Sequence, residues 1–143
     1  MKQPEITAAI PHRPPMLLVD EVVELTEQRI VARKTFRAGE YFFQGHYPGK
    51  PIVPGVILCE CGMQAGAILL ARFVPPDSRD QVPVATRLND VKFKKVIQPG
   101  DVIDMEVTLN DQVSSAFFLT AKVSCQGKLA TRFDFACTMT TVQ

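Results

Sequence analysis

At 143 residues, 46% of them hydrophobic, the chain is long enough to bury a core as one domain over residues 1–143, without disulfide or metal staples. Sixteen Lys and Arg against fifteen Asp and Glu give a formal net charge of +1, which removes any global pull toward nucleic acid or a charged membrane surface. Cys59, Cys61, Cys125 and Cys137 form no Cys-x-x-Cys, and neither histidine has ligand spacing to them.

The cysteines therefore read as small buried residues of a reducing compartment, and no metal site is expected. Residues 1–6 lack the apolar stretch of a secretory signal, and no segment approaches the roughly 20 apolar residues of a membrane span. The expected location is cytoplasmic. There is no internal repeat, low-complexity stretch or linker.

In chain order, residues 4–10 suit a short amphipathic helix. Residues 16–23 read as a buried strand and residues 29–36 as its partner. Residues 39–55 are broken by glycine and proline and predict an irregular loop. Residues 56–73 form the one long helix: Pro54-Gly55 opens it and Pro75-Pro76 stops it. Val56, Ile57, Leu58, Met63, Ile68, Leu69 and Leu70 fall around most of its circumference, which predicts burial nearly all round.

The second half is strand after strand. Residues 82–97 carry Leu88, Val91, Phe93 and Val96, and Pro99-Gly100-Asp101 is a turn. Ile103, Met105, Val107 and Leu109 then alternate with polar residues up to a turn expected at Asn110-Asp111. Phe117, Leu119, Ala121, Val123 and Cys125 repeat the period of two, Gln126-Gly127 marks a hairpin, and Leu129, Phe133, Phe135, Cys137 and Met139 lie on a last strand. One buried helix with five or six mostly antiparallel strands predicts an α+β hotdog fold, an antiparallel sheet wrapped around one long central helix. Such a sheet leaves an edge and apolar surface that a second copy would cover.

The segment Phe42-Phe43-Gln44-Gly45-His46-Tyr47-Pro48-Gly49-Lys50-Pro51-Ile52-Val53-Pro54-Gly55 holds one histidine on a loop stiffened by three prolines. Gly45 and Gly49 allow close backbone approach. An imidazole held this way is a preorganised base, although a histidine among glycines is ordinarily a plain loop residue. Glu60 lies in the most apolar stretch, where a carboxylate is costly unless paired or functional. Its structural alternative is pairing with an arginine or with Gln64, four residues on. The amides of Gly55 and Val56 open the helix and can hold a carbonyl oxygen that gains negative charge. Base, acid and oxyanion donors in one short span suit proton abstraction next to a carbonyl.

This loop, followed by Val56, Glu60 and Gln64, closely resembles the bacterial β-hydroxyacyl-acyl carrier protein dehydratases of the FabZ type. Pro11-His12-Arg13-x-Pro15-x-Leu17-Leu18-Val19-Asp20 is similar to the family's opening, and Val91-Lys92-Phe93-Lys94-Lys95 with Pro99-Gly100-Asp101 to its middle strand and turn. The resemblance runs through nearly all of the chain. It implies dehydration of a (3R)-hydroxyacyl thioester to the trans-2-enoyl product, with no cofactor. It also implies a homodimer, commonly a trimer of dimers, whose sites each pair His46 of one subunit with Glu60 of another. Gly55 and Val56 would bind the thioester carbonyl, with Gly45 and Gln64 in support. Phe93 is implied as a lining of the acyl tunnel. Lys92, Lys94 and Lys95 are candidate contacts for the acidic acyl carrier protein that delivers the phosphopantetheine-linked substrate; the plainer reading of each lysine is a solvated surface charge.

Some residues depart from the family pattern. Tyr47 stands where Phe is usual, Pro14 where Tyr is usual, and Cys59, Cys61 and Gly62 surround Glu60. None removes a reacting group, and His12 is assigned a structural role. A sibling dehydratase that also isomerises its product typically carries Cys before the histidine and Asp on the helix; Gly45 and Glu60 differ from both. A hotdog thioesterase and a non-catalytic acyl-binding module are the remaining alternatives.

Overall fold

Alternating burial along the strands turns one face of a single sheet toward the longest helix. The computed structural model describes every residue except Arg79 and Gln143. Its elements are α1 (Gln3–Ala9), β1 (Glu21–Leu25), β2 (Arg29–Thr35), a 3₁₀ turn (Tyr41–Phe43), α2 (Gly55–Leu70), a second 3₁₀ turn (Ala71–Phe73), β3 (Gln81–Phe93), β4 (Val102–Val113), β5 (Ala116–Cys125) and β6 (Lys128–Thr141). The strands pair antiparallel in the order β1-β2-β4-β5-β6-β3. Ile103, Met105, Val107 and Leu109 on β4, with Phe117, Leu119, Ala121 and Val123 on β5, are buried as the period of two predicts. This is the expected hotdog arrangement.

Helix α2 packs against β2 to β6, so little of it can be polar. Two glycines let the sheet come close. A Cβ on Gly62 would lie 2.8 Å from the Phe133 ring, and one on Gly66 would lie 2.7 Å from the Phe135 ring. Both rings are buried and pack on each other at 5.6 Å, so neither has space to retreat. Gln64 ties the N-terminal segment to the helix: its carbonyl accepts from the Leu18 amide at 2.8 Å, and its Nε2 donates to the Met16 carbonyl at 2.8 Å.

Several expectations need correction. The apolar run at residues 16–19 is not ladder; β1 starts at Glu21, because the backbone of this run is held by a turn onto the Arg13 carbonyl and by Gln64. The turn expected at Asn110-Asp111 is a bulge instead. Asn110 donates across the strands to Thr120 at 2.7 Å, β4 continues to Val113, and the reversal comes at Ser114, whose φ is +58°. Val56 is 72% exposed, because it sits on the first turn of α2 where the helix end is uncovered. Finally, Gly55–Phe73 is long and apolar enough to cross a membrane by length and composition, but most of it is buried in the sheet, as a core helix requires.

Strand β3 is the unusual one. It ends the sheet and lies largely exposed, with Leu88 at 44% and Phe93 at 55%, and Val96 just beyond it at 59%. Its paired run ends at Phe93 rather than Ile97, whose carbonyl instead accepts from the Val53 amide at 2.8 Å and so braces the loop before α2.

The ring contacts set the expected result of Gly62→Ala and Gly66→Ala. Ala improves helix propensity by about 1 kcal/mol over Gly, but overpacking a filled core costs about 1–3 kcal/mol. Each variant should lower the urea midpoint; a raised midpoint would show that the rings yield freely.

Candidate active site

The loop bearing His46 is anchored before it reaches the histidine. Phe42 and Phe43 pack edge-on to the buried Phe36 at 5.9 and 6.4 Å. Glu40 is held by the buried Lys34 ammonium and also accepts from the Arg37 amide. A lysine on the inner face of β2 gave no sign in sequence that it serves this loop.

His46 is half-buried, with its Nδ1 3.1 Å from the Ile52 carbonyl oxygen, and its own carbonyl accepts from the Ile52 amide at 2.9 Å. A carbonyl can only accept, so Nδ1 carries the proton in this bond. In the neutral ring Nε2 is then the basic nitrogen. The Tyr47 ring stacks on the imidazole at 4.2 Å. Gly45 does not provide the expected close approach: a Cβ there would meet nothing within 4 Å, and the same holds at Gly49, whose φ of +79° is the feature that favours glycine.

Helix α2 opens at Gly55. Pro54 contributes its carbonyl to the Ile57 and Leu58 amides, while among the described residues nothing accepts from the amides of Gly55 and Val56. A Cβ on Gly55 would lie 2.7 Å from Phe93, so the Phe93 ring covers the backbone at this helix end. These two amides form a donor pair beside an aromatic wall.

Glu60 lies one turn further along. Its side chain is 25% exposed, less desolvated than its apolar neighbours suggested. Gln64 donates to Oε2 at 2.9 Å, the partner four residues on. The histidine in contact range of it is His12, whose Nε2 lies 3.9 Å from Oε2; no ion pair or hydrogen bond joins His46 to Glu60 among the described residues. Burial lowers the pKa of His12, Glu60 raises it and Arg13 lowers it further. The structural role assigned to His12 thus understates its position.

Lys92 and Lys94 are exposed and Lys95 is half-buried, none of them in an ion pair among the described residues. All four cysteines are buried free thiols; burial pushes Cys137 up to about 11 and also raises Cys61, so neither is a ready nucleophile.

A family model for the FabA-like domain matches residues 10–134. The 3-hydroxyacyl-[acyl-carrier-protein] dehydratase FabZ of Clostridium perfringens is 40% identical over 126 residues, covering 88% of this chain and 89% of its own. The FabZ of Oenococcus oeni is 42% identical, covering 83% and 87%, and that of Geobacter metallireducens 38% identical, covering 94% and 90%. Among solved structures, the dehydratase heterocomplex ApeI:P from Xenorhabdus doucetiae matches with a TM-score of 0.78 at 17% identity, over 95% of this chain and 91% of that one. A hypothetical thioesterase with coenzyme A from Streptococcus pneumoniae matches with a TM-score of 0.62 at 13% identity, over 86% and 87%. These two likenesses establish the fold alone. The family model and the sequence relatives go further: this chain belongs to the FabA-like family, among the FabZ-type 3-hydroxyacyl-[acyl-carrier-protein] dehydratases.

Proposed function

We propose that residues 1–143 act as one hotdog domain that removes water from (3R)-hydroxyacyl-[acyl-carrier-protein] to give the trans-2-enoyl thioester in fatty acid elongation. The observation that carries this reading is the bond from His46 to the Ile52 carbonyl, which leaves Nε2 as a fixed base. Nε2 takes the C2 proton while the Gly55 amide, with that of Val56 beside it, holds the thioester oxygen as it gains charge. The C2–H electron pair becomes the new double bond and the C3–O bond breaks. The leaving hydroxyl takes a proton from Glu60 or from the newly protonated His46, and departs as water.

Among the described residues no ion pair or hydrogen bond joins His46 to Glu60 in one chain, and in the proposed site His46 comes from one subunit and Glu60 from another. The exposed β3 edge, with Leu88, Phe93 and Val96, supplies an apolar surface for a second copy to pair with. Dimers of this kind then assemble as a trimer of dimers. Phe93, on the wall beside Gly55, lines the acyl tunnel. Lys92, Lys94 and Lys95 receive the acidic carrier protein, and the enzyme works in the cytoplasm.

The test is incubation with a 3-hydroxyacyl carrier-protein thioester. Enoyl thioester is the expected product; a shifted double bond would favour the isomerising sibling, and free acid with free thiol a hydrolase. His46→Ala and Glu60→Gln should each lower kcat by about 10²–10⁴-fold, with thermal midpoints close to that of the parent. Full activity in Glu60→Gln would remove it from the mechanism.

A further inference from the structure

His12 Nδ1 is the buried side-chain polar atom that has no hydrogen-bond partner among the described residues. The segment that carries the ring is nevertheless held in place. The Arg13 guanidinium donates to the carbonyls of Thr7 at 2.9 Å, Ile10 at 2.9 Å and His12 at 2.7 Å, which folds the segment back on itself. An N–H at Nδ1 would be buried with nothing to accept it, a costly arrangement. A proton on Nε2 instead faces the Glu60 carboxyl, while a bare Nε2 would set its lone pair against that group. The neutral Nε2–H tautomer is therefore the favoured one.

We infer that His12 is a positioning residue for Glu60: with the Gln64 amide it holds Oε2 and leaves Oε1 as the oxygen that transfers the proton. Gln64 donates to Oε2 at 2.9 Å and His12 Nε2 stands 3.9 Å from the same atom. Among the described residues, no donor reaches Oε1. A gap of 3.9 Å is beyond a direct hydrogen bond, but such contacts are commonly long in a substrate-free site and tighten when substrate binds. Holding one oxygen from two sides fixes the plane of the carboxyl, so its other oxygen has a defined direction. The inference rests on Glu60 being part of the proposed site.

The charged groups acting on His12 are Glu60 on α2 and Arg13 in its own segment. With burial the largest influence, its folded pKa lies below its ordinary 6.5. The unfolded chain then binds the proton more readily, so His12 costs no stability above pH 6.5 and costs progressively more as the pH falls below it.

The experiment compares the full-length parent with His12→Gln, His12→Asn and Glu60→Gln on a 3-hydroxyacyl carrier-protein thioester. Gln places an amide N–H where Nε2 sits, whereas Asn reaches only the Nδ1 position. His12→Asn should lose about tenfold or more in kcat with little change in KM, and His12→Gln should keep most of the rate. Between pH 6.5 and 5, the thermal midpoint of the parent should fall more steeply than that of His12→Gln. Equal rates in Gln and Asn variants, whether high or low, would overturn the role of His12; parallel midpoint curves would contradict its burial as a neutral ring. If Glu60→Gln keeps full activity, it is the underlying reading of the site that fails.

Discussion

Everything in this protein depends on burying α2 inside a sheet of its own chain. Eleven of its sixteen residues are buried, and the glycines at 62 and 66 let Phe133 and Phe135 close over it. A helix wrapped this fully has few places for polar groups. At its N-terminus the Gly55 and Val56 amides have no acceptor among the described residues, and the side left uncovered carries Glu60. The proposed chemistry sits where the wrapping stops.

The same constraint explains why the loop is built so firmly. His46 lies on a loop outside the sheet, and its placement is made by the paired contacts with Ile52, the brace from Val53 to the buried Ile97, and the aromatic anchor of Phe42 and Phe43 on Phe36. Several fixings together give the proposed base its orientation before substrate arrives. Gln64 links this to the fold. One amide satisfies Leu18, Met16 and Glu60 together, so the helix, the N-terminal segment and the carboxyl move as one unit.

Much of this was legible in the sequence. The period of two in β4 and β5 and the Pro/Gly punctuation of α2 pointed to the architecture, since both patterns follow from one-sided or total burial. What stayed hidden depended on contacts distant in sequence. Leu17, Leu18 and Val19 look like strand because they are buried, yet the Leu17 amide turns onto the Arg13 carbonyl and the Leu18 amide is satisfied by a side chain 46 residues away. Asn110-Asp111 carries turn-forming residues, but a cross-strand bond to Thr120 makes it a bulge. His12 looked structural because no local pattern brings residue 12 to residue 60. The strand whose apolar residues lie exposed, β3, was readable as apolar but not as the sheet's uncovered edge.

The central claim is that each site belongs to two chains. The direct measurement is complementation between two inactive variants, His46→Ala and Glu60→Ala, carried on differently tagged subunits and isolated as the mixed dimer. In that dimer one site lacks both groups and the other retains both, so the account predicts about half the parent's rate per dimer. If His46 and Glu60 served the same chain, every site would be broken, and the mixed dimer would stay as inactive as either variant alone.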